Sequence, residues 1–265
     1  MFIIDLFVKT ALETLYFTGI IILAGLLLGV LETQSNRNFQ KSLGRNAIMV
    51  TGVIGTPIHE LSHALMALIF GHQITAIKLF QRPDQDGVMG YVNHAYNAKN
   101  IYHQVGNFFI GIAPIFGGLL VIIALMGLLM PEVLGSFMVV VSQGMAVENL
   151  SMAAVTGIFT AYLELVKLIF SGDNLQNISF YLFLFVAICI SSHISLSPAD
   201  IKGAFKGLSF IFLIMLILNA VGLPRSILVV DVLKYNLLMT SFLMIAVIFS
   251  LITFFISLIS RIFAR

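Results

Sequence analysis

The sequence predicts an all-α polytopic membrane protein with about six to seven transmembrane helices and a small β-hairpin after the second helix. Hydrophobic residues make up 59% of the 265-residue chain and charged residues only 10%, whereas a soluble domain carries roughly 25% charged residues. Several apolar runs reach the roughly 20 residues that a helix needs to cross a bilayer. No repeat or low-complexity linker divides the chain, so we expect one integral membrane domain over residues 1–265.

The apolar runs place the spans in order, beginning with a first helix that we expect to be retained rather than removed as a signal peptide. A polar loop is expected over residues 32–45. Two strand-like segments, 74–80 and 87–92, flank a turn-forming run at residues 82–86, and this pattern predicts the hairpin. Pro131 is expected to end the third helix. Two interpretations of the segment that follows it remain, an interfacial helix and part of a span. The predicted spans are 11–31, 46–70, 104–130, 149–170, 178–194, 207–222 and 236–262.

The composition also restricts the partners of the chain. The net charge is +2 and no run of basic residues occurs, which argues against nucleic acid. The single cysteine, Cys189, excludes an intrachain disulfide and a site built from several thiolates. We expect a multi-pass protein of the cell membrane, surrounded by the lipid bilayer.

The second span contains a cluster of ionisable residues, His59, Glu60 and His63, in an otherwise apolar run. Ionisable groups are costly to place in hydrocarbon and therefore indicate a functional site by default. Positions i and i+4 lie on one helix face, so both imidazoles can bind one metal ion. Glu60 lies about 100° around the helix from His59, where it reaches a water without binding the metal. The alternative is a pair of histidines that hydrogen-bond between helices.

The residues before the cluster predict an interrupted helix. Gly52 and Gly55 weaken a helix, and Pro57 removes a backbone donor. Thr56 and Pro57 suit an N-cap and a first helical position, so a half-helix would begin at the cluster. An ordinary proline kink is the alternative.

Catalytic zinc takes three protein ligands and leaves a fourth position for water, so a third ligand is needed. Glu148 and Glu164 are candidates, but His193 and Asp200, in the segment 192–203, are stronger. Of these two, Asp200 is favoured as the ligand and His193 remains open. Asp200 also has a structural interpretation, because Ser197, Pro198 and Asp200 match a helix N-cap, first position and third position.

With these motifs, the chain resembles the site-2 protease family of intramembrane zinc metalloproteases, and in particular its small, divergent bacterial-type members without a PDZ domain. The resemblance covers a core of about residues 46–207. It implies His59, His63 and Asp200 as zinc ligands, Glu60 as general base, and membrane-embedded peptides or single-span proteins as substrates. The family's late motif has an asparagine, a proline and an Asp-Gly pair, whereas here Ile201 follows Asp200.

His193 stands roughly where the family has its asparagine, a residue thought to orient substrate or stabilise the oxyanion. We therefore expect a catalytic role for His193 through a donated hydrogen bond.

Three functions are compatible with the motif: an intramembrane zinc endopeptidase, a non-proteolytic membrane metal-binding protein, and a peptide-binding or immunity protein that keeps the metal site. Glu60 favours the enzyme, because a pure binding site needs no general base.

Overall fold

A computed structural model describes residues 2–44, 47–84, 87–147, 151–222 and 232–264. Within these ranges the chain is almost entirely helical, with one two-stranded antiparallel sheet between the second and third helices. The predicted fold class, all-α and polytopic with a small β-hairpin, is confirmed. The elements are α1 (Phe2–Leu43), α2 (Ala47–Ile69), β1 (Gln73–Lys78), β2 (Tyr91–Ala95), α3 (Ile101–Leu129), α4 (Pro131–Met145), α5 (Met152–Ile169), α6 (Gly172–Leu175), α7 (Ile178–Ser191), α8 (Pro198–Ala220) and α9 (Val232–Phe263).

Five helices of the described ranges are long and apolar enough to cross a membrane, namely α1, α3, α5, α8 and α9. Large apolar side chains are exposed on their outer surfaces, for example Leu23, Leu128 and Ile217, and in a membrane these positions face lipid. With 23 residues, α2 is about 35 Å long and could cross as well, although its polar cluster lowers its hydropathy. The apolar α7 is shorter, with 14 residues.

The prediction of a polar loop from residue 32 is wrong, because α1 continues to Leu43. Two of its polar residues, Ser35 and Asn38, are buried and hydrogen-bonded within the helix bundle. Asn38 donates to the Ser257 hydroxyl over 3.2 Å and accepts from Arg261 over 3.0 Å, and both partners lie on α9. These contacts bind the end of α1 to α9, so polarity here marks a helix–helix interface.

Several other boundaries differ from the predictions. Pro131 does not merely end α3; it is the first residue of α4, so the segment left open is a helix up to Met145. The second strand begins at Tyr91 rather than at 87, because hydrogen bonds extend the turn: the Gly87 N–H donates to the Asp84 carbonyl, and the Asp84 carboxylate accepts from the Val88 N–H. The last span before α9 begins at Pro198 instead of 207. Residue 149, the predicted start of α5, lies outside the described residues.

The core consists of two apolar clusters that meet along α3. One cluster joins the second half of α3 to α4, α5, α7 and α9. The other joins the first half of α3 to α1, α8 and α9. The helix α2 packs against α3 on one side and α7 on the other, while α8 packs against α3. Because α3 contacts both α2 and α8, and α7 precedes α8 in the chain, this packing brings the start of α8 to the polar cluster of α2.

A histidine cluster fastens the hairpin to the helices, and we define it as His72, His94 and His103. His72 is buried just after α2 and its Nε2 donates to the His103 carbonyl over 3.0 Å. Its Nδ1 lies 2.9 Å from Nδ1 of His94 on β2. The two nitrogens form one hydrogen bond, in which one of them carries the proton and the other accepts it. Burial lowers the pKa of His72 below its ordinary value of 6.5, although the hydrogen bond to His103 works in the opposite direction.

Acidification should therefore destabilise the fold through His72. Because the folded pKa is depressed, the unfolded chain binds more protons as the pH falls below 6.5, and stability is lost in that direction. We expect the thermal midpoint of the wild type in detergent to fall between about pH 7 and pH 5, and to fall less in His72→Gln, which carries no titratable ring. Parallel pH profiles of the two proteins would contradict the assignment.

Candidate metal centre

The two histidines of α2 point the same nitrogen at one place. His59 and His63 lie one turn apart, and their Nε2 atoms are 3.1 Å from each other. Nδ1 of His59 donates to the His193 carbonyl and Nδ1 of His63 to the Ile110 carbonyl, each over 2.7 Å. Since a carbonyl only accepts, Nδ1 of each ring carries its proton, and Nε2 of the neutral ring offers a lone pair. Backbone acceptors of this kind orient histidine ligands in metal sites.

Asp200, on the first turn of α8, completes the group. Its Oδ1 lies 3.1 Å from Nε2 of His63, and its Oδ2 lies 3.7 Å from Nε2 of His59. One ligand atom from each of the three residues lies within 4.8 Å of the other two, which is near enough to hold a metal ion. Two imidazole nitrogens and one carboxylate oxygen are a ligand set that suits zinc and leaves one position open.

The expected capping role of Asp200 is confirmed and coexists with its place in the group. The Ser197 hydroxyl accepts from the Asp200 backbone N–H over 3.2 Å, and Oδ2 of Asp200 accepts from the Ser197 N–H over 2.8 Å. Pro198 occupies the first turn, as predicted. The cap holds one carboxylate oxygen and thereby directs the other oxygen, Oδ1, towards His63.

A close contact between α3 and α8 sets the position of Asp200. A Cβ on Gly111 of α3 would contact the Asp200 carbonyl oxygen and would lie 2.8 Å from Cβ of Ala204. Only glycine lets the two helices approach this closely, as small residues do generally in membrane proteins. The same helix, α3, provides the Ile110 carbonyl that orients His63.

Gly111→Ala is therefore expected to push α8 away from α3, to lower stability by about 1–3 kcal/mol and to weaken metal retention. Gly135→Ala on α4 is the matched control, because a Cβ there meets nothing within 4 Å and alanine suits a helix better. Thermal unfolding and metal content of the two purified variants test the difference. Equal behaviour of the two would show that the contact does not position Asp200.

Glu60 lies beside the group without being part of it. Its side chain is buried, with 7% exposed, and it interacts electrostatically with His59, His63 and Asp200. A buried carboxylate in this position can exchange a proton with a molecule bound at the group.

The other predicted candidates do not join the group of three. Nε2 of the buried His193 shares a hydrogen bond with the Thr51 hydroxyl over 3.0 Å, so its ring is held at α2 while its carbonyl orients His59. The group of three contains Asp200 and not His193. Glu164 is exposed and pairs with Lys167 over 2.7 Å. Glu148 lies outside the described residues.

Of the two alternatives for the residues before the cluster, the half-helix is wrong, and a helix that continues through the proline is the one observed, since α2 runs unbroken from Ala47 to Ile69 with Pro57 inside it. The glycines before the cluster serve packing rather than interruption. A Cβ on Gly55 would lie 2.6 Å from Cδ2 of His193, so glycine lets α7 and the following loop approach α2. This approach brings the His193 carbonyl within reach of His59.

Sequence reasoning did not find the residue that holds this loop from the other side. The Glu32 carboxylate of α1 accepts from the Ser195 N–H over 3.2 Å and is near enough to His59 to interact with it electrostatically. Ser195 lies between His193, whose carbonyl accepts from His59, and Ser197, which caps α8. The contact with Glu32 therefore anchors to α1 the loop that orients both His59 and Asp200. A glutamate in the apolar surroundings of a long first helix would have been the signal.

The fold and the site together define a polytopic helical membrane protein with a candidate metal centre between α2 and the start of α8, beside α3. Comparison of the chain with protein-family models, with curated proteins and with solved structures finds no match.

Proposed function

We propose that this protein is an intramembrane zinc metalloprotease that hydrolyses a peptide bond in a membrane-embedded substrate. The observation that carries the proposal is the convergence of Nε2 of His59, Nε2 of His63 and the Asp200 carboxylate, with a buried Glu60 beside them. A hydrolytic metal site needs three ligands and a neighbouring base, and these residues match both requirements.

Zinc is the metal that the donor set fits best, because two imidazoles and one carboxylate are typical ligands of open catalytic zinc sites. When bound, zinc supplies Lewis acidity, which polarises a carbonyl group and makes water more acidic. The protein's own contribution is to fix the ligands. The His193 and Ile110 carbonyls set both imidazole tautomers, and the Ser197 cap holds one oxygen of Asp200.

Glu60 is the proposed general base. It takes the proton from the attacking water and later passes it to the leaving amine, so that hydrolysis ends with a free carboxylate and a free amine. Its burial shields the carboxylate from bulk water and strengthens its interaction with the two histidines. The position next to His59 in the helix keeps it near the reacting atoms without occupying the group of three.

The depth of the site supports a substrate within the membrane. His59 lies about 18 Å along α2, measured from Ala47 at 1.5 Å per residue. A hydrocarbon core is about 30 Å thick, so this position lies well inside it if α2 crosses the bilayer. A peptide or a single-span protein that is already in the membrane reaches such a site without leaving the lipid.

The proposal is tested by metal analysis and peptide cleavage on the purified full-length protein. We expect about one zinc ion per chain, cleavage of a single-span peptide reconstituted with the protein in liposomes, loss of cleavage after chelation and its return with zinc. Mass spectrometry of a panel of such peptides identifies the products. Absence of bound metal would overturn the proposal, while bound zinc without cleavage of any peptide would indicate a metal-binding protein.

A further inference from the structure

Thr56 differs from the other threonines of the described helices in its hydrogen bonding. All the others donate their hydroxyl to a carbonyl about one turn earlier, the usual arrangement in a membrane helix. Thr56 is 6% exposed, and its Oγ1 is the buried side-chain polar atom that has no hydrogen-bond partner in the described ranges. The threonines that donate are Thr10, Thr14, Thr18, Thr33, Thr51, Thr156, Thr160, Thr240 and Thr253.

The rotamer of Thr56 is set by the segment that leads into β2. A Cβ on Gly90 would lie 2.7 Å from Cγ2 of Thr56 and 2.9 Å from Cγ of Glu60. The Thr56 methyl group thus packs beneath Gly90, beside the side chain of the proposed base. Thr56 precedes Glu60 by one helical turn, so both side chains lie on the same face of α2.

The Thr56 hydroxyl has no hydrogen-bond partner among the residues that the structure describes, and the proposed base lies beside it. The Glu60 carboxylate interacts electrostatically with His59, His63 and Asp200. A buried hydroxyl nearly always has a hydrogen-bond partner, and leaving it without one is unfavourable. The Thr56 hydroxyl therefore indicates a partner that is not part of the chain.

We propose that the Thr56 hydroxyl binds the backbone of the substrate peptide next to the bond that is cleaved, an inference that rests on the proposed function. A hydroxyl can donate to a peptide carbonyl or accept from a peptide N–H, which suits a substrate of any sequence. Thr56 and Glu60 are about 6 Å apart along the helix axis, which corresponds to about two residues of extended peptide. For a peptide that runs along α2, the contact falls one or two residues from the reacting bond.

The test compares Thr56→Val, which keeps the shape and the methyl group, with Thr56→Ser, which keeps the hydroxyl. For Thr56→Val we expect roughly a tenfold loss in kcat/KM, the effect of one hydrogen bond, with zinc content unchanged. Its thermal midpoint should equal or exceed that of the wild type, because the variant removes an unpartnered buried polar atom. Thr56→Ser should retain most of the activity.

Thr18→Val is the matched control, because Thr18 is also 6% exposed but its hydroxyl donates to the Thr14 carbonyl on α1. Its activity should equal that of the wild type. A readout without turnover is binding of the same single-span peptide to Glu60→Gln, which should weaken about tenfold when Thr56→Val is added.

Thr56→Val that cleaves and binds like the wild type would overturn the inference, as would a Thr56→Val that loses stability and zinc together. If the wild type cleaves the peptide and Glu60→Gln does not, either of these two results for Thr56→Val would remove the role of Thr56 and leave the proposed function intact. If the wild type cleaves no peptide, the proposed function and the role of Thr56 both fail.

Discussion

Glu60→Gln is expected to abolish peptide cleavage while zinc stays bound at about one per chain. Glutamine has the size and shape of glutamate but cannot take a proton from water, and loss of a general base lowers rates by roughly 10²–10⁴-fold. The metal should remain because Glu60 lies outside the group formed by His59, His63 and Asp200. Metal analysis of the purified variant and a cleavage assay on the same preparation measure both quantities.

Glu164→Gln is the control for this experiment, since Glu164 is exposed and pairs only with the neighbouring Lys167 among the described residues. Its cleavage rate and zinc content should match those of the wild type. Normal cleavage by Glu60→Gln would remove Glu60 from the reaction. Loss of zinc from Glu60→Gln would instead make Glu60 a ligand, and the roles within the cluster would have to be reassigned.

Asp200→Ala is expected to release the metal and with it all activity. Its carboxylate is the one acidic group within 4.8 Å of both histidine nitrogens in the described part of the chain, and two imidazoles alone hold zinc poorly. Metal content after dialysis against a weak chelator provides the measurement. His193→Ala should keep its zinc, because the His193 backbone carbonyl, which the variant retains, is what orients His59.

The capping role of Asp200 must be separated from its role as a ligand. Ser197→Ala removes the hydroxyl that accepts from the Asp200 N–H and leaves the carboxylate in place. It should lower stability by about 1 kcal/mol, as the loss of an N-cap does, and retain most of the zinc. If Asp200→Ala retained its metal while His193→Ala lost it, the third ligand would be His193.

Hydrophobicity and local motifs predicted much of the fold. The second helix was expected over 46–70 and is Ala47–Ile69, and the third was expected over 104–130 and is Ile101–Leu129. These segments agree because a helix satisfies all the backbone hydrogen bonds of a long apolar run within that run, as lipid surroundings require. The Ser197–Asp200 cap was predictable for a similar reason, since it depends only on residues within one turn.

The errors occurred where packing between distant segments changes the meaning of a residue. Asn38 looked like part of a loop, but hydrogen bonds to α9 keep it within α1. Gly55 and Pro57 indicated an interruption of the helix, whereas α2 is continuous and Gly55 allows α7 to pack closely against it. In both cases a local signal of polarity or flexibility had a tertiary cause.

The sequence by itself determined the membrane class of the protein and the local cluster His59, Glu60 and His63, because hydropathy and the i, i+4 spacing act over one or a few helical turns. Only the tertiary structure decided that Asp200, and not the ring of His193, meets these histidines. It also decided which nitrogen of each histidine carries the proton, and that the Thr56 hydroxyl has no hydrogen-bond partner among the described residues. These features depend on how closely α3, α7 and α8 approach α2, and that distance is set by side chains far apart in the chain.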